Sequence, residues 1–460
     1  MTDRIRRIQG ILWEGHVRKL ADCEARFQRV PLAPMTDLLG TLQQRGLLQD
    51  ATAGLAERLE RGPLTSYVGF DPTADSLHVG NLVPVMGAAW LQRFGHTPII
   101  LIGAGTGMIG DPSGKRDERP ILPIERIDRN AEAIRGQLAR FLSFESSERN
   151  PARMRNNADW LRKLPLMEFL RDTGKHLTLG FMLQKESVRS RLETGISYTE
   201  FSYMAIQAYD FWHLFRTEGC ELQIGGSDQW GNITAGIELI GKREGRQTYG
   251  MVFPLVTNTS GAKFGKSDAG NVWLDPAKTS PYQFYQFWIN TDDRDVERYL
   301  KLFTFLPLEE IGRTMAEHGR DPGKRAAQRL LARDLTTRVH GPAEAEQAVE
   351  TSRALFEGRG VTVAPGTRDL GLTGHAPTVK VSRAGLRDLS VVELLVASGL
   401  AKSKADARRG IQGRGFYLND EPIETADLEL AEDKLQGPPD GRFVMLRKGK
   451  RNYVRLVLEP

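Results

Sequence analysis

Cysteine is nearly missing: the 460 residues hold two, Cys23 and Cys220, far apart and without a Cys-x-x-Cys partner. This argues against a disulfide framework and a cysteine-ligated metal site, and fits a reducing cytoplasm. No uninterrupted apolar run reaches the roughly 20 residues that cross a bilayer, so neither a transmembrane helix nor a membrane partner is expected. The N-terminus has no apolar core followed by a small-residue cleavage site, and no secretory signal is read there. A strong charge of one sign is also absent. The formal net charge of +5 is too modest to indicate nucleic acid by itself, so the location of the charge matters more. No internal repeat is found.

What is there divides by composition. The length predicts two to four domains. Residues 1–34 are polar and arginine-rich around Trp13, and an amphipathic helical pattern beginning at Met35 reads as a natural start after an extension of no evident role. From Leu64 to Phe70 and from Pro98 to Gly103 the composition is that of strands, each followed by a loop rich in Gly, Pro, Asp or Ser. Further strands are expected at Glu221–Ile224 and Met251–Val256, with helices between, which implies a parallel sheet covered on both faces. Apolar spacing from Ser280 to Phe356 is helical, with starts near Pro281, Pro307, Pro322 and Pro342. Residues 357–385 lack periodicity and read as a linker, and a small mixed domain occupies 386–460. Two basic stretches lie in that last part, Lys402–Arg414 and Arg442–Arg455. A solvated basic face accounts for them as well as nucleic acid does.

Two motifs mislead. Gly105-Thr-Gly-Met-Ile-Gly110 matches a dinucleotide fingerprint, but Pro112 follows at once and interrupts the helix that the fingerprint needs. Gly261-Ala-Lys-Phe-Gly-Lys-Ser267 is one residue short of a phosphate-loop spacing, with no long helix after it. His78-Val-Gly-Asn81 opening a helix and Lys263-Phe-Gly-Lys-Ser267 downstream suit another nucleotide chemistry. A helix N-terminus favours phosphate, Gly80 admits close approach, and the lysines can neutralise departing pyrophosphate. Taken singly, a helix cap and a solvated loop explain the same residues.

Longer runs are specific. Tyr67 to His78, Gly110-Asp-Pro-Ser-Gly114, Glu200 to Met204, Gln207 to Asp210 and Gln223 to Asn232 closely resemble bacterial tyrosyl-tRNA synthetases in order and spacing. The resemblance covers residues 35–460 and includes a C-terminal part similar to the S4 RNA-binding module. It implies a Rossmann-like α/β catalytic domain with a parallel sheet (35–279), an α-helical domain for the anticodon region of tRNA (280–356), and a small α+β S4-like domain. It also implies L-tyrosine, tRNA(Tyr) and ATP as substrates, Mg2+ accompanying ATP, no resident metal, and a homodimer.

Tyr203, Gln207 and Asp210 stand at i, i+4 and i+7, so one face of an otherwise apolar helix carries all three. An inward carboxylate on such a helix wants a partner, although an ordinary buried hydrogen-bond network would satisfy it. The resemblance gives Asp210 and Tyr67 the substrate phenol, Asp111, Tyr203 and Gln207 its ammonium group, and Gln229 its carboxyl end. It gives Thr73, His78 and Asn81 the polyphosphate, with Lys115, Arg119, Lys263, Lys266 and Ser267 on loops over the same charge. Gly69, Asp71, Gly80, Gly226, Asp228 and Lys266 fall at ATP-binding positions, Asp228 matching a ribose contact. Two residues depart from the family: Asn81 replaces a second histidine, and Val68 stands where a polar residue is common. Two alternatives stay open, a tryptophan-specific synthetase and a catalytically silent RNA-binding paralogue. A related nucleotidyltransferase would not need the helical and S4-like parts.

Overall fold

A computed structural model of the chain describes residues 37–113, 122–192, 195–259, 264–267, 270–356, 378–382, 389–419, 421–428, 434–436, 442–449 and 452–459. The N-terminal extension, Lys115, Arg119, Lys263 and most of the linker lie outside these, and Lys266 and Ser267 are described as backbone only. The chain divides into two compact units, residues 1–274 with 292–317, and residues 275–291 with 318–460.

The first unit is built on a six-stranded sheet. Its strands are β1 (Asp50–Ala51), β2 (Thr65–Phe70), β3 (Thr97–Ile102), β4 (Arg153–Asn156), β5 (Cys220–Gly226) and β6 (Tyr249–Phe253), in the order β1-β6-β5-β2-β3-β4. All pairs are parallel except β1 with β6 at the edge. β2 leads to β3 on one side and β5 to β6 on the other. Right-handed crossovers therefore put the Leu82–Arg93 helix on one face and the Trp230–Glu244 helix on the other. The first of these sits close to the sheet because Gly87 has no side chain: a Cβ there would meet the Phe253 ring at 2.0 Å. The Tyr198–Glu218 helix starts at Ser197, whose side chain accepts from the Glu200 amide, and ends at left-handed Gly219. With Trp230–Glu244 it buries Tyr67, Ile99, Leu101, Phe211, Leu214, Cys220 and Ile240 as one apolar cluster.

β1 and β4 were not expected from composition. β1 has two residues, and Arg-Met-Arg-Asn in β4 carries no β-branched or aromatic side chain. Both form only because a neighbouring strand offers its edge.

In the second unit the helices Pro281–Ile289, Ala326–His340 and Pro342–Phe356 pack on one another. Ser280 and Gln283 close a capping box at the first, with proline in the first turn. The starts read at Pro281 and Pro342 hold, and Pro322 opens a short 3-10 turn before Ala326. A further helix, Asp293–Phe303, begins at the Asp292 cap and belongs to the first unit. The C-terminal part is a five-stranded sheet of β9 (Thr378–Ser382), β10 (Phe416–Leu418), β11 (Glu421–Pro422), β12 (Phe443–Lys448) and β13 (Asn452–Glu459). The helices Val391–Ala397 and Lys404–Gln412 pack against each other, and their buried residues share one apolar cluster with those of the strands. β9 lies inside the stretch read as linker. Thr-Val-Lys-Val-Ser is too short to declare itself and is made a strand by parallel pairing with β13. No helix among the described residues is long and apolar enough to cross a membrane.

Candidate active site

Strand order reverses between β2 and β5, and in such sheets ligands bind beyond the carboxyl ends of the strands flanking that point. The residues there are Asp71 after β2, Gly103 to Thr106 after β3, Asn157 after β4, and Ser227 to Gln229 after β5. The Tyr198–Glu218 helix points Tyr203, Gln207 and Asp210 at the same region, as its spacing required.

At the deep end Asp210 is 1% exposed. Its Oδ2 accepts from Asn157 Nδ2 at 2.8 Å and its Oδ1 from Trp160 Nε1 at 2.7 Å. Burial pushes the carboxyl up to about 7, the two donors oppose the shift, and the Asp71 carboxylate adds to it. Beside it the Tyr67 hydroxyl is buried without a hydrogen-bond partner among the described residues. Burial first, then Asp210, raises the Tyr67 phenol well above its ordinary range, so it stays a neutral donor. A buried donor with nothing to bond is costly unless a ligand supplies the acceptor.

The middle of the site is a chain of polar contacts. Tyr203 donates its hydroxyl to Asp71 Oδ2 at 2.9 Å, and Thr106 donates to Asp71 Oδ1 at 2.7 Å. Asn157 also donates to Thr106 Oγ1 at 3.0 Å and accepts from the Gly105 amide at 2.7 Å, tying the β3 and β4 ends together. Gln229 donates to Asp111 Oδ2 at 2.7 Å, while Asn232 donates to both Gln207 Oε1 and Gln229 Oε1 at 3.1 Å. Burial first, then the nearby Asp71 and Asp111 carboxylates, raises the Tyr203 phenol well above its ordinary range, so this end of the site is acidic.

Toward the surface, His78 caps the helical turn that precedes Leu82. Its Nδ1 accepts from the Gly80 amide at 3.1 Å, and Asn81 Oδ1 accepts from the His78 amide at 3.0 Å. His78 is therefore a helix cap. The Asn81 carbonyl is used in this cap, which leaves its NH2 end as the part able to reach a ligand. Val68 is buried in the core, 2% exposed. Thr73 is exposed, and Gly69 is exposed near the end of β2 with open space where a Cβ would stand. Gly226 ends β5, and Asp228 lies in the turn after it.

The downstream signature is fastened beside the upstream one. Val79 donates to Val272 O at 2.9 Å, Val272 to Gly265 O at 3.0 Å, and Leu274 to Leu77 O at 2.9 Å. Gly265 has φ +85°, and a Cβ there would stand 3.1 Å from the Gly80 nitrogen, so both the conformation and the space call for glycine. Phe264 stacks on Phe303 at 5.2 Å, and Lys266–Ser267 pairs with Gly270–Asn271 as a short hairpin, β7 and β8.

The structure thus brings together Tyr67, Asp71, Asp111, Tyr203, Gln207, Asp210 and Gln229, with His78, Gly80, Asn81 and the Lys266 backbone at one rim. Asn157, Trp160, Thr106 and Asn232 were missed. Thr106 and Asn232 lie inside stretches already singled out but carried no role there, and nothing near Asn157 and Trp160 marks them; the one available signal was that buried Asp210 had to have donors from somewhere.

The family profile described as "tRNA synthetases class I (W and Y)" matches residues 59–357, and that described as "Tyrosine--tRNA ligase SYY-like C-terminal domain" matches 371–456. A tyrosine–tRNA ligase of Anaeromyxobacter dehalogenans strain 2CP-1 is 59% identical over 419 residues, covering 91% of this chain and 99% of that protein. One from Roseiflexus castenholzii is 51% identical, covering 92% of this chain and 100% of the relative. The solved C-terminally truncated mitochondrial tyrosyl-tRNA synthetase of Aspergillus nidulans is 32% identical with a TM-score of 0.64, covering 75% of this chain and all of its own. Placed beside the strand-end geometry and the buried Tyr67–Asp210 pair, these matches establish that the chain belongs to the tyrosine–tRNA ligases, within the class I aminoacyl-tRNA synthetases.

Proposed function

We propose that this chain activates L-tyrosine with ATP, forming tyrosyl adenylate and pyrophosphate, and then transfers tyrosine to the 3′ end of tRNA(Tyr). The observation that carries this reading is the buried Asp210 carboxylate beside an unpartnered Tyr67 hydroxyl. A phenol entering there donates its proton to Asp210 and accepts from Tyr67, which satisfies both. Asp111, Tyr203 and Gln207 receive the ammonium group, Asp71 holds the Tyr203 hydroxyl beside the ATP-binding positions, and Gln229 lies toward the carboxylate.

The first step needs no general base. A substrate carboxylate with a pKa of roughly 3.5 is already ionised and attacks the α-phosphorus directly. Catalysis is then alignment of the reactants and stabilisation of charge on departing pyrophosphate. ATP enters as substrate with Mg2+ on its phosphates. Thr73, the His78–Asn81 turn, Lys115, Arg119, Lys263, Lys266 and Ser267 meet the polyphosphate. Gly69, Gly80 and Gly226 give backbone access, and Asp228 meets the ribose. Lys263→Ala and Lys266→Ala should each slow single-turnover adenylate formation by about 10- to 1000-fold while leaving tyrosine affinity nearly unchanged, because the contact forms mainly in the transition state. Unchanged single-turnover rates would make the loop structural only.

A homodimer is part of the reading. Leu166 (67% exposed), Met167, Leu179 and Tyr198 (75% exposed) are large apolar side chains left exposed on the first unit, and a second copy would cover such residues. Sedimentation at micromolar concentration should give twice the 51.4 kDa chain mass, and a monomer would refute it. Residues 280–356 are assigned to the anticodon region of tRNA and 386–460 to RNA binding, with cytoplasm as the compartment.

A further inference from the structure

We propose that His213 is a positioning residue for substrate selection: its imidazole, stacked on Trp160, holds the indole N–H against Asp210 and so sets how tightly the substrate phenol is bound. The proposal rests on the reading of Asp210 as the phenol's partner.

Trp160 stands on the short Ala158–Leu161 helix just past β4, with exposed Asp159 before it and exposed Arg162 two residues on. Its indole packs against the Tyr67–Phe211–Leu214 cluster. The His213 ring lies 4.3 Å away, centroid to centroid, with 21° between the planes. The indole is therefore clamped by apolar packing and by a stacked imidazole, and its Nε1 reaches Asp210 Oδ1 at 2.7 Å. His213 is three residues past Asp210 on the same helix, so one rigid element carries both the carboxylate and the group that aims its donor.

The clamp is itself supported. Tyr209 lies nearly parallel to His213 at 6.3 Å and packs against Trp212 at 5.1 Å. Trp212 is fixed in turn by donating to Glu244 Oε1 at 2.7 Å and by the Arg243 guanidinium 3.6 Å over its ring. Half-burial lowers the His213 pKa, with Glu218 opposing, so the ring is neutral at pH 7 and stacks as an aromatic rather than as a cation. His213 acts through Trp160, which carries the hydrogen bond to Asp210.

The test is steady-state pyrophosphate exchange on the full-length enzyme. His213→Ala should raise the KM for tyrosine roughly three- to tenfold, the effect expected from losing one aromatic stacking pair. The kcat and the KM for ATP should stay unchanged. His213→Phe, which retains a flat ring, should restore the tyrosine KM. In a Trp160→Phe background, His213→Ala should add nothing, since the donor it positions is gone. A tyrosine KM unchanged in His213→Ala overturns the proposal, as does an undiminished effect in the Trp160→Phe background or failure of His213→Phe to rescue. Asp210→Asn separates the two readings. If it raises the tyrosine KM while His213→Ala does not, only the role of His213 falls; if it has no effect either, the phenol assignment falls too.

Discussion

In pyrophosphate exchange, tyrosine should outperform phenylalanine and tryptophan by orders of magnitude, and Tyr67→Phe and Asp210→Asn should each narrow the tyrosine–phenylalanine gap by about 10- to 100-fold. The cause is a penalty on the wrong substrate. Phenylalanine leaves the Tyr67 hydroxyl buried and unpaired among the described residues, and leaves Asp210 buried with only its Asn157 and Trp160 donors and no phenol proton, at about 1–3 kcal/mol per group and more for a charge. Removing one of these groups removes its share of the penalty. The same pair predicts a pH profile. Free Asp210 titrates near 7, and a bound phenol donating to it favours the ionised form, so its pKa falls on binding. Tyrosine affinity should then rise with pH up to about 7 and level off above it, being about tenfold weaker one unit below. Asp210→Asn should flatten that profile. Equal exchange with tryptophan would sink the tyrosine assignment, and tightest tyrosine binding at pH 6 would sink the role of Asp210.

Removing residues 371–460 should spare tyrosyl adenylate formation and reduce tRNA charging by at least about 100-fold. The cut precedes β9, so the five-stranded sheet leaves as a whole, and a truncated relative has been solved as a folded protein. Lys402, Arg408, Arg409 and Arg414 are exposed along one helix and the turns beside it, where they suit phosphates. Part of the basic character is spent internally, since Lys404 pairs with Glu393 at 2.7 Å and Lys448 lies 3.7 Å from Asp406. Among the aromatic residues of this part, Phe416 is fully buried in the core, and Tyr453 packs on the Tyr282–Phe443–Met445 cluster. Tyr417 is half-buried under the Arg447 guanidinium, 3.7 Å from its ring. Phosphate contacts should make tRNA affinity fall steeply with added salt. Both half-reactions measured on one truncated preparation decide the matter: full-rate charging would remove RNA anchoring from this part of the chain.

Some of this was legible in the order of residues and some was not. Helix periodicity alone put Tyr203, Gln207 and Asp210 on one face, because side-chain direction along a helix depends only on spacing. The strand–loop–helix punctuation around Phe70, Gly103 and Gly226 marked the ends where ligands gather. Prolines marked several helix starts, since a fixed φ and a missing N–H suit the first turn of a helix. What bonds Asp210 was not legible. Asn157 and Trp160 come from a segment 50 residues away that declares neither strand nor site, and they reach the carboxylate only because β4 pairs with β3. β9 likewise needed β13 before it became a strand. Local interactions are encoded by spacing. The desolvation that lifts Asp210 toward neutrality, and the stacking of His213 on Trp160, exist only once distant segments have closed water out between them.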